Sequence, residues 1–176
     1  IARNNGVKHA IYDYITFLDA DDWWEPTFLQ EMKILIEEFP EAGIYGSNYY
    51  FVKNNAVKIA PLKFDASFDK GVINYFNVYA RSLCMPLTSI SVVIPKSVFE
   101  KQQGFKPGLK LGEDFELWVR IAKKYPVVFY NKPLAYYNQD VELSGRAVSD
   151  RLYEVNEHML FADYSDLMEN SDFRFL

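Results

Sequence analysis

An α/β domain is the fold class this chain predicts, and three observations carry the prediction. Short β-branched and aromatic runs alternate with stretches whose apolar residues recur at helical spacing, the pattern of strands interleaved with helices. The 176 residues are 49% hydrophobic and 17% aromatic, enough to bury a core within one domain. Residues 14–18, apolar and β-like, run directly into Asp19, Asp21 and Asp22. A strand thus delivers a carboxylate cluster at its carboxyl end, where open α/β sheets bind ligands.

The elements follow in chain order. Residues 1–10 read as a short helix or its end, with Asn5-Gly6 as a stop signal. Residues 14–18 form a short buried strand, closed at once by polar turn residues. Pro26 suits the first turn of a helix, in which Phe28, Leu29, Met32, Leu35, Ile36 and Phe39 build one buried face until Pro40 ends it. Residues 43–60 are rich in Tyr, Val and Ile and predict two strands turning at Asn54-Asn55. A helix is expected over about 71–82, a strand over 89–94 stopped by Pro95, a short helix over 96–101 and a turn at Gly104-Phe105. Gly112 then breaks the chain, and Trp118, Ile121 and Ala122 supply the apolar stripe of a helix beginning near Glu113. Strands over 127–130 and 134–138 and an amphipathic helix from 150 to about 168 complete the reading. With no repeat, low-complexity tract or linker, residues 1–176 are expected to fold as one unit, a core to about 148 and a C-terminal helix and tail over 149–176.

Composition excludes several classes. A net charge of -5 with Lys and Arg dispersed leaves no basic stripe for nucleic acid. Cys84 is the only cysteine, which rules out a disulfide framework and fits a reducing cytoplasm. The longest apolar runs, such as Val92-Val93-Ile94, are far too short to cross a bilayer, and no secretory signal opens the chain. Membrane contact would have to be peripheral; Phe161, Tyr164, Phe173 and Phe175 in the tail are read first as packing residues. Cys84 and His158 are read as structural or incidental. Because the chain opens at Ile1 rather than Met, it is expected to be a piece of a longer protein.

Two acidic sites carry the chemistry. Asp19, Asp21 and Asp22 repel one another, a strain most simply relieved by a divalent cation. Asp22 has a second reading, as a cap for the helix that follows. Glu113 and Asp114 fall in a first helical turn, where free peptide N–H groups and the positive end of the helix favour ionised carboxylates. Trp118 lies one turn beyond Asp114 on the same helix face. A calcium loop of EF-hand type fails on its own pattern, because Trp23, Trp24 and Gln30 stand where it needs an oxygen ligand, Gly and Glu.

Taken together, Ala2-Arg3-Asn4-Asn5-Gly6, Phe17-Leu18-Asp19-Ala20-Asp21-Asp22-Trp23 with Pro26, Gly104-Phe105 and Gly112-Glu113-Asp114-Phe115-Glu116-Leu117-Trp118-Val119-Arg120 resemble the family 2 glycosyltransferases of the GT-A fold, in order and spacing, over about residues 1–138. The resemblance implies a mixed sheet flanked by helices that lacks the first β-α units. It implies an inverting transferase that moves a sugar from a nucleotide-sugar donor to a carbohydrate or lipid-linked acceptor. Its Asp-x-Asp motif would be Asp19 and Asp21, holding Mg2+ or Mn2+ against the diphosphate, with Asp21 the closest metal contact, Asp22 adjacent and Asp19 also touching the nucleotide sugar. Asp114 matches the catalytic base, with Glu113 beside it at the substrate or serving only as a first-turn helix charge; Trp118 reads first as a core residue of its helix and otherwise as an apolar wall for the acceptor sugar, and Arg3 and Asn4 would lie near the donor. Such enzymes often build surface polysaccharides at the cytoplasmic face of the membrane.

There are departures from the family pattern. The nucleotide-binding half that usually precedes these motifs has no counterpart here. Many relatives place a metal-binding His near residue 138, whereas Tyr136-Tyr137-Asn138-Gln139-Asp140 has none; Asn138, Gln139 or Asp140 substitutes, or the metal has a single protein anchor. Two alternatives remain from other classes: a non-catalytic sugar- or partner-binding fragment, and a haloacid dehalogenase-type phosphatase, which also sets Asp-x-Asp after an apolar strand.

Overall fold

The computed structural model describes residues 2–109 and 111–140, and the expected C-terminal helix and aromatic tail, with His158, lie outside the described residues. Among those described, seven strands form one mixed sheet. They are β1 Tyr14–Thr16, β2 Trp23–Trp24, β3 Ile44–Lys53, β4 Ala56–Ile59, β5 Lys70–Ile73, β6 Val92–Pro95 and β7 Val127–Asn138. The central order is β1-β6-β3-β7-β2, with β4 added to β3 and β5 to β7. β1 and β3 both run antiparallel to β6, while β3 and β7 are parallel. The carboxyl ends of β1, β3 and β7 therefore point the same way.

Helices α1 Ala2–His9, α2 Phe28–Glu38, α3 Tyr75–Ser82, α4 Lys96–Lys101 and α5 Glu113–Ala122 pack around this sheet. On one side α2 buries Phe28, Met32 and Leu35 against Tyr45, Val93, Val128 and Leu134. The larger core gathers Val7 of α1, Phe76 of α3, Val98 and Phe99 of α4 and Leu117, Trp118 and Ile121 of α5 against Ile44, Val92, Ile94 and Phe129. Such burial contributes roughly 1.5–3 kcal/mol per large apolar side chain, which holds each helix with its apolar stripe against the sheet. Gly46 is required where two layers meet: a Cβ there would lie 2.3 Å from Leu87 Cδ2.

The structure revises several expectations. α1 runs through Asn5-Gly6 to His9 because the Ala10 amide still reaches the Gly6 and Val7 carbonyls. β1 is shorter than expected, with only Ile15 buried. Residues 70–73 pair with β7 as β5, so α3 starts at Tyr75, capped by the Asn74 side chain on the Asn77 amide. Pro95 belongs to its strand, opposite Tyr14, while Ser89–Ser91 form a single 3-10 turn. The two strands expected over 127–138 are one strand. Its register against β3 shifts between Ser47 and Asn48 and again before Tyr49, and Pro133, which has no N–H to donate, sits at this irregularity. Asn48 fills the gap in the ladder, donating to Asn131 Oδ1 at 3.0 Å and accepting from the Tyr49 amide. The hairpin turn stands as expected: Asn54 and Asn55 take φ of 50° and 59°, the left-handed pair that matches strand twist.

Candidate active site

Because β1 and β7 end on the same side, the Asp19–Asp22 turn and the end of β7 face each other. The turn is closed by Asp22 N–H donating to the Asp19 carbonyl, and Asp22 Oδ1 accepts from the Asn138 amide at 2.7 Å. Asp22 is 8% exposed, and its Oδ2 is buried without a hydrogen-bond partner among the described residues. Burial, then the charges of Asp21 and Asp19, pushes its carboxyl up to about 6 against the Asn138 hydrogen bond. It does not cap α2, whose N-terminal residue Thr27 makes no side-chain cap. Asp21 is exposed at the tip of the turn.

From the other side comes the start of α5. Gly112 takes φ of 76°, a left-handed conformation that lets the chain turn into the helix and leaves Glu113 and Asp114 in its first turn. Asp114 Oδ1 accepts from the Phe115 amide at 2.7 Å, and Oδ2 accepts from the Ser89 hydroxyl at 3.1 Å. Arg3 of α1 joins the two acidic sites: Nη2 donates to both Asp19 oxygens at 2.7 and 2.9 Å, and Nη1 donates to Glu113 Oε1 at 3.0 Å. Burial opposes the Arg3 charge, but the Asp19 hydrogen bond and the charges of Asp19, Glu113 and Asp114 outweigh it and raise its pKa. Glu113 moves opposite to the expectation for a helix start. Burial, followed by the Asp114 charge, raises it despite its own backbone hydrogen bond and the nearby Arg3.

These groups line one cleft of about 150 Å³, formed by Arg3, Asp19, Asp22, Glu113 and Asp114 together with Met85, Thr88, Ser89, Ile90 and Tyr137. Larger concavities of about 690 Å³ beside the β3–β4 hairpin and about 430 Å³ along α1 and β1 have no carboxylate lining among the described residues. The small cleft is where the two acidic sites meet. Its negative charge and oxygen donors suit a hard divalent cation, and the orphaned Asp22 Oδ2 is the kind of buried acceptor a cation would satisfy. No cluster of three or more His, Cys, Asp or Glu side chains able to hold a metal occurs among the described residues. An ion held here would therefore have at most two of these side chains as ligands, with its other positions left to donors from outside the cleft.

Two expected site residues sit elsewhere. Trp118 is fully buried, edge-on to Phe105 with ring centres 6.1 Å apart, and gives the core under α5 rather than a wall for a ligand. Asn4 uses its amide on the Phe105 backbone, donating to the carbonyl at 2.8 Å and accepting from the N–H at 3.0 Å. Asn138 meets Asp22 through its backbone, and Asp140 accepts from the Asn54 amide. A strand over residues 89–94 gives Ser89 no place in the site, whereas the turn that forms there does. Thr88-Ser89-Ile90-Ser91 carried the missed signal, a hydroxyl three residues after a hydroxyl, which marks a capped turn.

The sequence model described as "Glycosyltransferase like family 2" matches residues 1–164. Among curated proteins, the chain is 28% identical over 143 residues to the amylovoran biosynthesis glycosyltransferase AmsB of Erwinia amylovora, covering 78% of this chain and 46% of that protein. It is 29% identical over 143 residues to glycosyltransferase GlyA of Streptococcus pneumoniae, covering 77% of this chain and 20% of that one. The chain thus spans less than half the length of these curated relatives. Residues 1–349 of S. aureus TarS, solved with UDP-GlcNAc, share the fold with a TM-score of 0.66 at 16% identity, covering 87% of this chain and 41% of that one.

Proposed function

Because the chain belongs to the family 2-like glycosyltransferases, with a GT-A-like fold, we propose that it carries the catalytic groups of an inverting, metal-dependent enzyme moving a sugar from a nucleotide donor to a carbohydrate or lipid-linked acceptor. The observation that supports this most is the junction of the two acidic sites in one cleft, with Arg3 bridging Asp19 and Glu113 and Asp114 alongside. Family membership removes the phosphatase alternative.

In this reading Asp114 accepts the proton of an acceptor hydroxyl while that oxygen bonds to the anomeric carbon, and the bond from that carbon to the diphosphate oxygen breaks. Attack from the face opposite the leaving group inverts the configuration. A carboxylate is too weak a base to strip a free alcohol, so proton transfer accompanies bond formation and positioning supplies much of the barrier reduction. Asp21 and Asp22 would hold Mg2+ or Mn2+, with Asp19 beside them at the donor. When bound, the cation supplies Lewis-acid charge for the departing nucleoside diphosphate. Arg3 keeps Asp19 and Glu113 from repelling one another and fixes the turn against α5.

A relative named for amylovoran biosynthesis supports a role in surface polysaccharide assembly. No helix among the described residues is long and apolar enough to cross a membrane, and a cytoplasmic setting with peripheral membrane contact fits a lipid-linked acceptor. Asp114→Asn in the complete protein is expected to abolish transfer while Mn2+-dependent binding of a nucleoside diphosphate survives in calorimetry. Undiminished turnover would remove Asp114 from the base role.

A further inference from the structure

We infer that Ser89 is a positioning residue that holds the Asp114 carboxylate in its working orientation, an inference that rests on the base reading of Asp114. The Ser89 hydroxyl donates to Asp114 Oδ2 at 3.1 Å, and both residues line the cleft. Asp114 Oδ1 is taken by the Phe115 amide. Two donors on two oxygens fix the plane of the carboxylate and leave lone pairs for an acceptor hydroxyl. Without Ser89, the Phe115 amide is the one remaining donor to it among the described residues, and the group can rotate about its last torsion, which is broad and weakly held.

Ser89 can do this because its own backbone is locked. Thr88 N–H and Oγ1–H both donate to Ser91 Oγ, at 3.1 and 3.0 Å, and the Ser91 amide donates to the Thr88 carbonyl. Trp24 Nε1 pins the Ile90 carbonyl at 2.7 Å. The turn is buried throughout, with Ser89 itself 6% exposed. Nothing in the packing of such a turn requires a hydroxyl at Ser89, and the carboxylate of Asp114 is the group it meets. The turn connects the metal-side strand β2, through Trp24, to the base on α5. A hydrogen bond to a charged acceptor on a rigid frame is the kind that sets geometry as well as energy.

The test uses the complete enzyme and a nucleotide sugar chosen by screening a panel of UDP-, GDP- and dTDP-sugars for released nucleoside diphosphate. Ser89→Ala is expected to lower kcat by about tenfold to hundredfold, the size of one charge-assisted hydrogen bond, with the donor KM and the melting temperature unchanged. Ser89→Thr, which keeps the hydroxyl, is expected to restore most of kcat. Asp114→Asn is measured alongside. If Asp114→Asn turns over normally, the base reading fails. If Asp114→Asn is inactive while Ser89→Ala keeps wild-type kcat, the Ser89 inference alone fails. A loss in Ser89→Ala that appears equally in KM, or with a lowered melting temperature that Ser89→Thr does not mend, also overturns it, because that is the signature of a packing role.

Discussion

Arg120→Ala is a demanding test of how the site is held. Arg120 donates from Nε and Nη2 to the two oxygens of Glu116 at 2.8 and 2.7 Å, from Nη2 to the Gly104 carbonyl at 2.7 Å, and from Nη1 to the Gln102 carbonyl. The Glu116 side chain is 5% exposed and that of Arg120 27%. Removing the guanidinium takes these donors from a buried carboxylate and two carbonyls. Breaking a buried pair typically costs about 3–5 kcal/mol, and the partial exposure of Arg120 points to the low end, about 3 kcal/mol. For a chain of this size each kcal/mol moves the melting temperature by roughly 2–4 °C, so a fall of about 6–12 °C is expected by circular dichroism on these 176 residues. Removing both charges together, as Glu116→Met with Arg120→Met, should recover at least half of the loss, since no orphaned carboxylate remains. A single variant melting within about 2 °C of wild type, or a double variant worse than the single, would refute the reasoning.

The other predictions concern single packing and polar positions. Gly46→Ala should destabilise by about 1–3 kcal/mol in chemical denaturation, because its Cβ would meet Leu87 Cδ2 at 2.3 Å; a neutral result would mean the layer yields more readily than its burial implies. Asn4→Ala removes both hydrogen bonds to the Phe105 backbone and should lower stability by about 1–3 kcal/mol while leaving catalytic pH dependence in place. At alkaline pH, burial first and then the Cys84 contact hold the Tyr49 hydroxyl far above its ordinary value. The folded state therefore keeps a proton the unfolded chain releases near pH 10. This contribution is complete below about pH 10 and is lost as pH rises further, by up to about 1.4 kcal/mol per unit. Tyr49→Phe should flatten the melting profile between about pH 10 and 12 relative to wild type, and an unchanged slope would rule the tyrosine out.

Much of the fold was legible because it rests on local chemistry. Asn54-Asn55 can adopt left-handed conformations, so the hairpin followed from two letters. Gly112 before Glu113 fixed the start of α5, and the spacing of Phe28, Met32 and Leu35 fixed α2. Elsewhere tertiary pairing overrode local preference. Gly71 reads as a loop or helix edge, yet β7 offers it a partner at Phe129. Pro133 should end a strand, yet β7 passes through it because β3 absorbs the misfit with the Asn48 side chain. Trp118 shows the same limit within the site: helical spacing placed it on the Asp114 face, but spacing cannot say whether that face turns to solvent or to the core.

The sequence by itself determined where its two acidic clusters fall in the chain. A strand ending in Asp19, Asp21 and Asp22 and a helix opening on Glu113-Asp114 are fixed by residue type and spacing, because capping, turn chemistry and periodicity act within a few residues. Only the tertiary structure decided how they work together. Arg3 meets Asp19 and Glu113 across 16 and 110 residues of chain, Ser89 meets Asp114 across 25, and Asn138 meets Asp22 across 116. Contacts of that range depend on strand order and on which element each helix packs against. Those choices are set by the whole core, and no local pattern records them.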